Sequence, residues 1–313
     1  MPNWNQILDE IKAAGSTHDI IRRRYLKDLH DLTGRNIIIY YSGWLQKPGA
    51  SGVEINDEDK GGFMSVIHQL DRSLGLDLVL HTPGGDTAAT ESLVDYLRSM
   101  FGTNIRAFVP QLAMSGGTMI ACACREIVMG KQSSLGPIDP HFGGIPAHGV
   151  MEEFQQAIDE ASKRPETTPI WQQIVAKYPP AFLGECQKAI AWAAEMTAEW
   201  LRTGMFSDDS NSEELIRSIQ TELGDHSLTK SHARHLSSAR CRDMGLRVTA
   251  LEDDQSMQEA VLSLHHACML TFSATPAVKL IENHNGVAFV KVLNQLVVTD
   301  ARRPSKSEQS DAW

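Results

Sequence analysis

The residues with chemistry to offer gather at two glycine turns. Ser115 follows the β-rich stretch "IRAFVP" and opens an apolar helical run after Gly116 and Gly117. That order sets its hydroxyl at the positive end of a helix, while the paired glycines let backbone come close to a bound group. Taken alone, Ser-Gly-Gly is equally an N-capping serine followed by packing glycines. A second turn changes the weight of the first. In "HTPGGDT" Pro83 sets the turn at a strand end, and the amides of Gly84 and Gly85 face the same sheet edge as Ser115. A hydroxyl nucleophile beside backbone donors is what acyl transfer uses, because the tetrahedral oxyanion must be met by donors already in place.

A serine hydroxyl is a poor nucleophile until a base takes its proton. Four side chains are candidates for that role. His81 lies in the strand before the glycine turn, a position typical of a packed or orienting histidine. Asp139 and His141 sit in the turn-rich "GPIDPHFGG", a loop able to return to the same edge. Lys188, in "ECQKAIAWAAEMTAEWL", shares a helix side with Trp192 and Met196. An amine desolvated on such a side is partly neutral near pH 7 and can act as a base. The same spacing also describes a stem laid on the core with its ammonium reaching water.

The elements that must position these groups alternate. A strand at "NIIIYYSG" (36–43) is followed by a loop in "SGVEINDEDKGG", a helix over 63–73, the strand "LDLVLHTPGG", the helix "TAATESLVDYLRSM" and the strand "IRAFVP". This rhythm predicts an α/β fold with parallel strands joined by right-handed crossovers, the working edge lying at the strands' carboxyl ends. Residues 4–13 place Trp4, Ile7, Leu8 and Ile11 on one side of an amphipathic helix, within an N-terminal extension over 1–30. Helix is predicted from about 150 to 205 with a break at "KYPPAF", then a polar segment over 206–230. A hairpin follows in "VKLIENHNGVAFVKVL", turning at Asn285-Gly286. Residues 301–313 read as a disordered tail.

With 313 residues, 42% of them apolar, the chain can bury a full core in one large domain. A net charge of -10 argues against non-specific nucleic-acid binding, and the basic pieces "IRRRYLK" and "RHLSSARCR" read as solvated helix faces. No apolar run reaches membrane-span length and the N-terminus lacks signal-peptide features, so the expected location is cytoplasmic with no integral membrane segment. Five cysteines with no CxxC pair or His-rich cluster argue against a disulfide framework and a structural metal.

At "LVLHTPGG", "AMSGGTMIA", "IVMGKQSSLGPIDP", "QKAI" and "VKLIENHNG", the chain resembles the serine dehydrogenase proteinase family, a branch of the Clp-fold serine peptidases related to signal peptide peptidase A. The resemblance implies a Clp/crotonase-like fold of stacked β-β-α units over 31–300, with a helical insertion at about 150–187. It implies hydrolysis of peptide bonds in a protein or peptide substrate, without metal or organic cofactor. It carries the nucleophile onto Ser115 and the oxyanion donors onto Gly84, Gly85 and Gly116. As in the Ser/Lys members, it puts the base at Lys188, with His141, His81 and Asp139 as alternatives. Aligned with the Clp proteases proper, Asp139 rather than His141 falls where their histidine stands. The resemblance further implies a homo-oligomer, for which residues 4–13 and "AVLSLHHACML" (260–270) offer interfaces, core packing being the plainer use of the second. Two other readings fit the same residues: a non-catalytic Clp-fold scaffold or adaptor, and a crotonase-type acyl-CoA enzyme.

Overall fold

A computed structural model describes residues 4–13, 18–209, 211–224 and 233–293. The expected tail at 301–313 lies outside the described residues. Helices α1 (Trp4–Ala13) and α2 (His18–Thr33) precede β1 (Asn36–Ser42), α3 (Glu58–Ile67), β2 (Leu76–His81), α4 (Thr87–Phe101) and β3 (Ile105–Val109). Next come β4 (Leu112–Ala113), α5 (Gly116–Cys122), β5 (Glu126–Met129), β6 (Ser134–Leu135) and a small hairpin of β7 (His141–Phe142) and β8 (Ile145–Pro146). Four helices follow: α6 (Ala147–Lys163), α7 (Thr168–Val175), α8 (Phe182–Trp200) and α9 (Glu213–Gly224). The chain closes with β9 (Leu236–Ser237), α10 (Ser238–Asp243), β10 (Val248–Ala250), α11 (Gln255–Ala274), β11 (Ala277–Asn283) and β12 (Ala288–Val292).

The main sheet runs β10-β5-β3-β2-β1-β11-β12. The first five strands are mutually parallel, and the β11–β12 hairpin joins antiparallel beside β1. Helices cover both faces, so β1 and β2 are buried along their whole length and read as nearly unbroken apolar runs. Successive side chains alternate between faces. Ile38 and Tyr40 join a core with α3, α4 and α5, whereas Ile37, Ile39 and Tyr41 pack with Ile7, Leu26 and Leu264 from α1, α2 and α11. The fold is α/β with a central, mostly parallel sheet, as the strand-helix rhythm predicts. The predicted hairpin turns at Gly286, whose φ of +81° suits its glycine.

Two stretches differ from the sequence expectation. Helix α3 starts at Glu58 and ends at Ile67 instead of spanning 63–73. Gly61 and Gly62, which read as breakers, lie inside it, and a Cβ on Gly62 would sit 2.7 Å from Ile281 Cδ1. The missing side chain lets the helix lie directly on β11. Its end follows from Gln69, which takes φ +68°. The polar segment holds α9, whose buried Ile216, Ile219 and Leu223 form one stripe amid charged neighbours. Within the span expected as a helical insertion, α6 to α8 build their own small core from Val150, Cys186, Phe154, Tyr178 and Phe182.

Helix α11 buries Val261 to His265 and Ala267 to Leu270, so that stretch packs the core. His265 lies there, 3.3 Å from the Tyr41 hydroxyl, and burial, reinforced by neighbouring His266, pushes its pKa from 6.5 down to about 3. The folded protein therefore binds that proton only near pH 3, whereas the unfolded chain binds it near 6.5, so acid in this window favours unfolding. The unfolding midpoint is expected to fall as pH drops from about 6.5 toward 3, and His265→Phe to shrink that fall, as read by thermal denaturation at matched ionic strength.

Candidate active site

Ser115 is placed by the end of β2. Thr82 donates its N–H to Leu112 O at 3.1 Å and accepts from Met114 N at 3.0 Å, which draws β4 alongside the glycine turn. Ser115 then bends the chain from β4 into α5 at φ +50°, ψ -115°, a conformation that residues bearing a Cβ rarely take. The Gly117 amide donates to Met114 O at 2.7 Å and the Met119 amide to Ser115 O at 3.1 Å, so the bend is held from the helix side.

The glycines are there for space. A Cβ on Gly84, whose φ is +91°, would stand 2.6 Å from Ser115 Cβ and 2.7 Å from Met114 O. One on Gly85 would stand 2.8 Å from Ile55 Cα and closer still to Ile55 N and O. Ile55 clasps this turn from the other side, donating to Gly84 O at 2.8 Å and accepting from the Asp86 amide at 2.9 Å. The Gly84 amide, one of the expected oxyanion donors, is engaged by Thr82 Oγ1 at 3.2 Å. The Gly85 and Gly116 amides have no acceptor among the described residues. They are neighbours: a Cβ on Gly116 would lie 3.6 Å from Gly85 N.

These groups open onto one cleft of about 760 Å³, which Ser115 shares with Gly84, Gly85, Gly116, Asp139, His141 and Lys188. His81 is not among its walls. Strand alternation turns it to the other face of the sheet, with its ring 4.3 Å from Trp44 and 5.3 Å from His265, and burial followed by His265 pushes its pKa well below the usual histidine value. Lys188 reaches the cleft from α8, but its side chain is 76% exposed and its Nζ is 3.0 Å from Glu185 Oε1. The desolvation anticipated from its helix side is not found, because α8 buries Cys186, Ala193, Met196 and Trp200 and leaves Lys188 at the edge of that stripe.

His141 is 18% exposed, and its Nδ1 lies 3.0 Å from Asp139 O and 3.7 Å from Asp139 Oδ2, on a carboxylate whose side chain is fully buried. A carbonyl only accepts, so the shorter contact makes Nδ1 the protonated nitrogen and leaves Nε2 the basic one in the neutral ring.

The loop carrying this pair is tied to the nucleophile's helix by a residue not singled out in the sequence. Thr118 Oγ1 accepts from the Gly136 amide and lies within donating distance of the Ala113 and Gly136 carbonyls, each at 2.9 Å. Parallel pairing of β4 with β6 adds a second tie. Thr118 could have been suspected from its place in "SGGT", whereas Ile55, inside an apparent loop, gives no local signal. Gly85→Ala is expected to push Ile55 away, lowering stability by about 1–3 kcal/mol in denaturant unfolding.

Among the described residues no helix is long and apolar enough to cross a membrane. The chain is 28% identical over 194 residues to the uncharacterized protein MJ1495 of Methanocaldococcus jannaschii, covering 62% of this chain and 59% of that protein. It is 34% identical over 123 residues to the uncharacterized protein MJ0137 of the same organism, covering 39% of this chain and 42% of that one. It thus spans roughly half the length of these relatives. The sequence pattern of one family matches residues 43–251, a stretch that holds both glycine turns, Ser115, Asp139, His141 and Lys188. By that match the chain belongs to the ClpP-like SDH-type serine proteinases.

Proposed function

We propose that this chain hydrolyses peptide bonds with Ser115 as nucleophile. The observation that carries the reading is Ser115 at its strained bend beside two unengaged amides in one cleft. In the reaction, Ser115 Oγ attacks the scissile carbonyl while the Gly85 and Gly116 amides receive the oxyanion. The base that took the hydroxyl proton returns it to the leaving amine, and water then releases the acyl group.

The base in this proposal is His141, oriented through Nδ1 by Asp139. Lys188 is the second reading, favoured by its place on the cleft wall and by the resemblance to Ser/Lys members. Against it, the Lys188 side chain stands exposed and paired with Glu185 rather than enclosed beside Ser115. A homo-oligomer, implied by the resemblance, completes the proposal, and sedimentation velocity reads the assembly directly.

Intact mass after treatment with a fluorophosphonate is expected to show one adduct, lost in Ser115→Ala, and peptide hydrolysis by that variant to fall about 10³-fold or more. Absence of an adduct on the wild type would point to the scaffold reading. Binding of a CoA thioester with activity surviving Ser115→Ala would point to the acyl-CoA reading. His141→Ala is expected to lower kcat about 10²–10⁴-fold and Lys188→Ala to leave it within about tenfold. The reverse pattern assigns the base to Lys188.

A further inference from the structure

The cleft contains no explanation for a fully buried charge pair behind it. Lys279, on β11, has a completely buried side chain, and Asp59, at the start of α3, is 2% exposed. Lys279 Nζ donates to both Asp59 carboxylate oxygens, at 2.7 and 2.8 Å, and to Glu54 O at 2.7 Å. Asp59 Oδ2 also accepts from the Tyr40 hydroxyl at 2.5 Å and from the Asn56 amide at 3.0 Å. The segment 54–56 is thereby gripped at both ends, at Glu54 by its carbonyl and at Asn56 by its amide. One residue earlier, Ser42 Oγ donates to Val53 O at 2.6 Å. Between the grips sits Ile55, the residue whose two backbone bonds clasp Gly84 and Asp86.

Removing two charges from water is costly, so such a pair is weak evidence of stabilisation and apolar residues of similar size often serve a fold as well. What apolar residues cannot do is hold a backbone carbonyl and a backbone amide at fixed points. The pair forms the far end of a continuous hydrogen-bonded path: Lys279 and Asp59, then the 54–56 segment, then the peptide that carries the Gly85 amide.

We propose that Lys279 and Asp59 are positioning residues for the oxyanion donor at Gly85, acting through the 54–56 segment without touching substrate. This rests on the serine peptidase reading above. Their loss lowers the rate of the chemical step and leaves ground-state binding unchanged, because the donor is needed where charge develops on the oxygen.

The test uses the full chain as wild type, as Asp59→Asn, which keeps the shape and an accepting oxygen, and as Lys279→Met combined with Asp59→Leu, which removes both charges together. A fluorophosphonate is the probe: the general base takes the Ser115 hydroxyl proton, the Ser115 Oγ–P bond forms, the P–F bond breaks with fluoride leaving, and the phosphonyl oxygen takes the oxyanion's place. In the double variant the maximal phosphonylation rate is expected to fall about 100-fold, comparable to loss of one oxyanion donor, with the half-saturating concentration within about twofold of wild type. Asp59→Asn is expected in between, at about tenfold. Hydrogen exchange of peptides covering 53–57 and 84–86 is expected to quicken in the same order.

Folded variants with wild-type phosphonylation rates and exchange would overturn the proposal, as would a change confined to half-saturation. If the double variant does not fold, Asp59→Asn decides by the same two readouts. A wild type that the probe does not modify sinks the peptidase reading instead, and exchange at 84–86 then still decides whether the pair sets that peptide.

Discussion

Two backbone hydrogen bonds hold the site together: Ile55 N–H to Gly84 O at 2.8 Å and Asp86 N–H to Ile55 O at 2.9 Å. They fix a turn that no side chain can occupy, since Gly85 lies flat against Ile55 and Gly84 against Ser115. On one side of this turn stands the strained serine. On the other runs a segment anchored by buried polar groups. Backbone-to-backbone contact suits the purpose because main-chain dipoles, once paired in a packed interior, do not reorganise as charge develops nearby.

The sheet separates two kinds of chemistry by face. The side covered by α3, α4, α5 and α8 carries the cleft, while the side covered by α1, α2 and α11 carries a buried cluster of Tyr41, His81 and His265 with Trp44 against it. Those histidines are neutral packing groups: burial pushes both well below the ordinary value. Charges buried in the fold are paired across elements distant in sequence. Arg22 on α2 meets Glu282 on β11 at 2.6 Å, and Asp77 on β2 is gripped by Arg35 and Arg106, each at 2.6 Å. Half of such a pair left alone would be an uncompensated buried charge, which is costly.

His141 and Lys188 come to one cleft by different routes. His141 is delivered by a loop sewn to α5 through Thr118 and to β4 through β6, so its position follows from the nucleophile's own. Lys188 is delivered by a helix whose buried stripe is set by packing on α9 and the body of the fold, and it stands just beyond that stripe. Solvent at its ammonium and the Glu185 partner one turn earlier are consequences of that placement.

The amino-acid sequence determined on its own whatever depends on local pattern. The apolar runs of β1 to β3, the helix after each glycine turn, the hairpin at Asn285-Gly286, and Ser115 beside a Gly-Gly pair were all legible, because burial on both faces and turn chemistry leave marks on neighbouring residues. Helix α3 was blurred by two glycines whose reason is the closeness of β11, and α9 by the charges flanking its stripe. Only the tertiary structure decided which face His81 takes, that the Gly84 amide is engaged by Thr82, that Lys188 stays in water, and that Lys279 and Asp59 meet behind Ile55. Each of these is a relation between residues far apart in the chain, set by strand order and by what desolvates whom, and no local spacing encodes either.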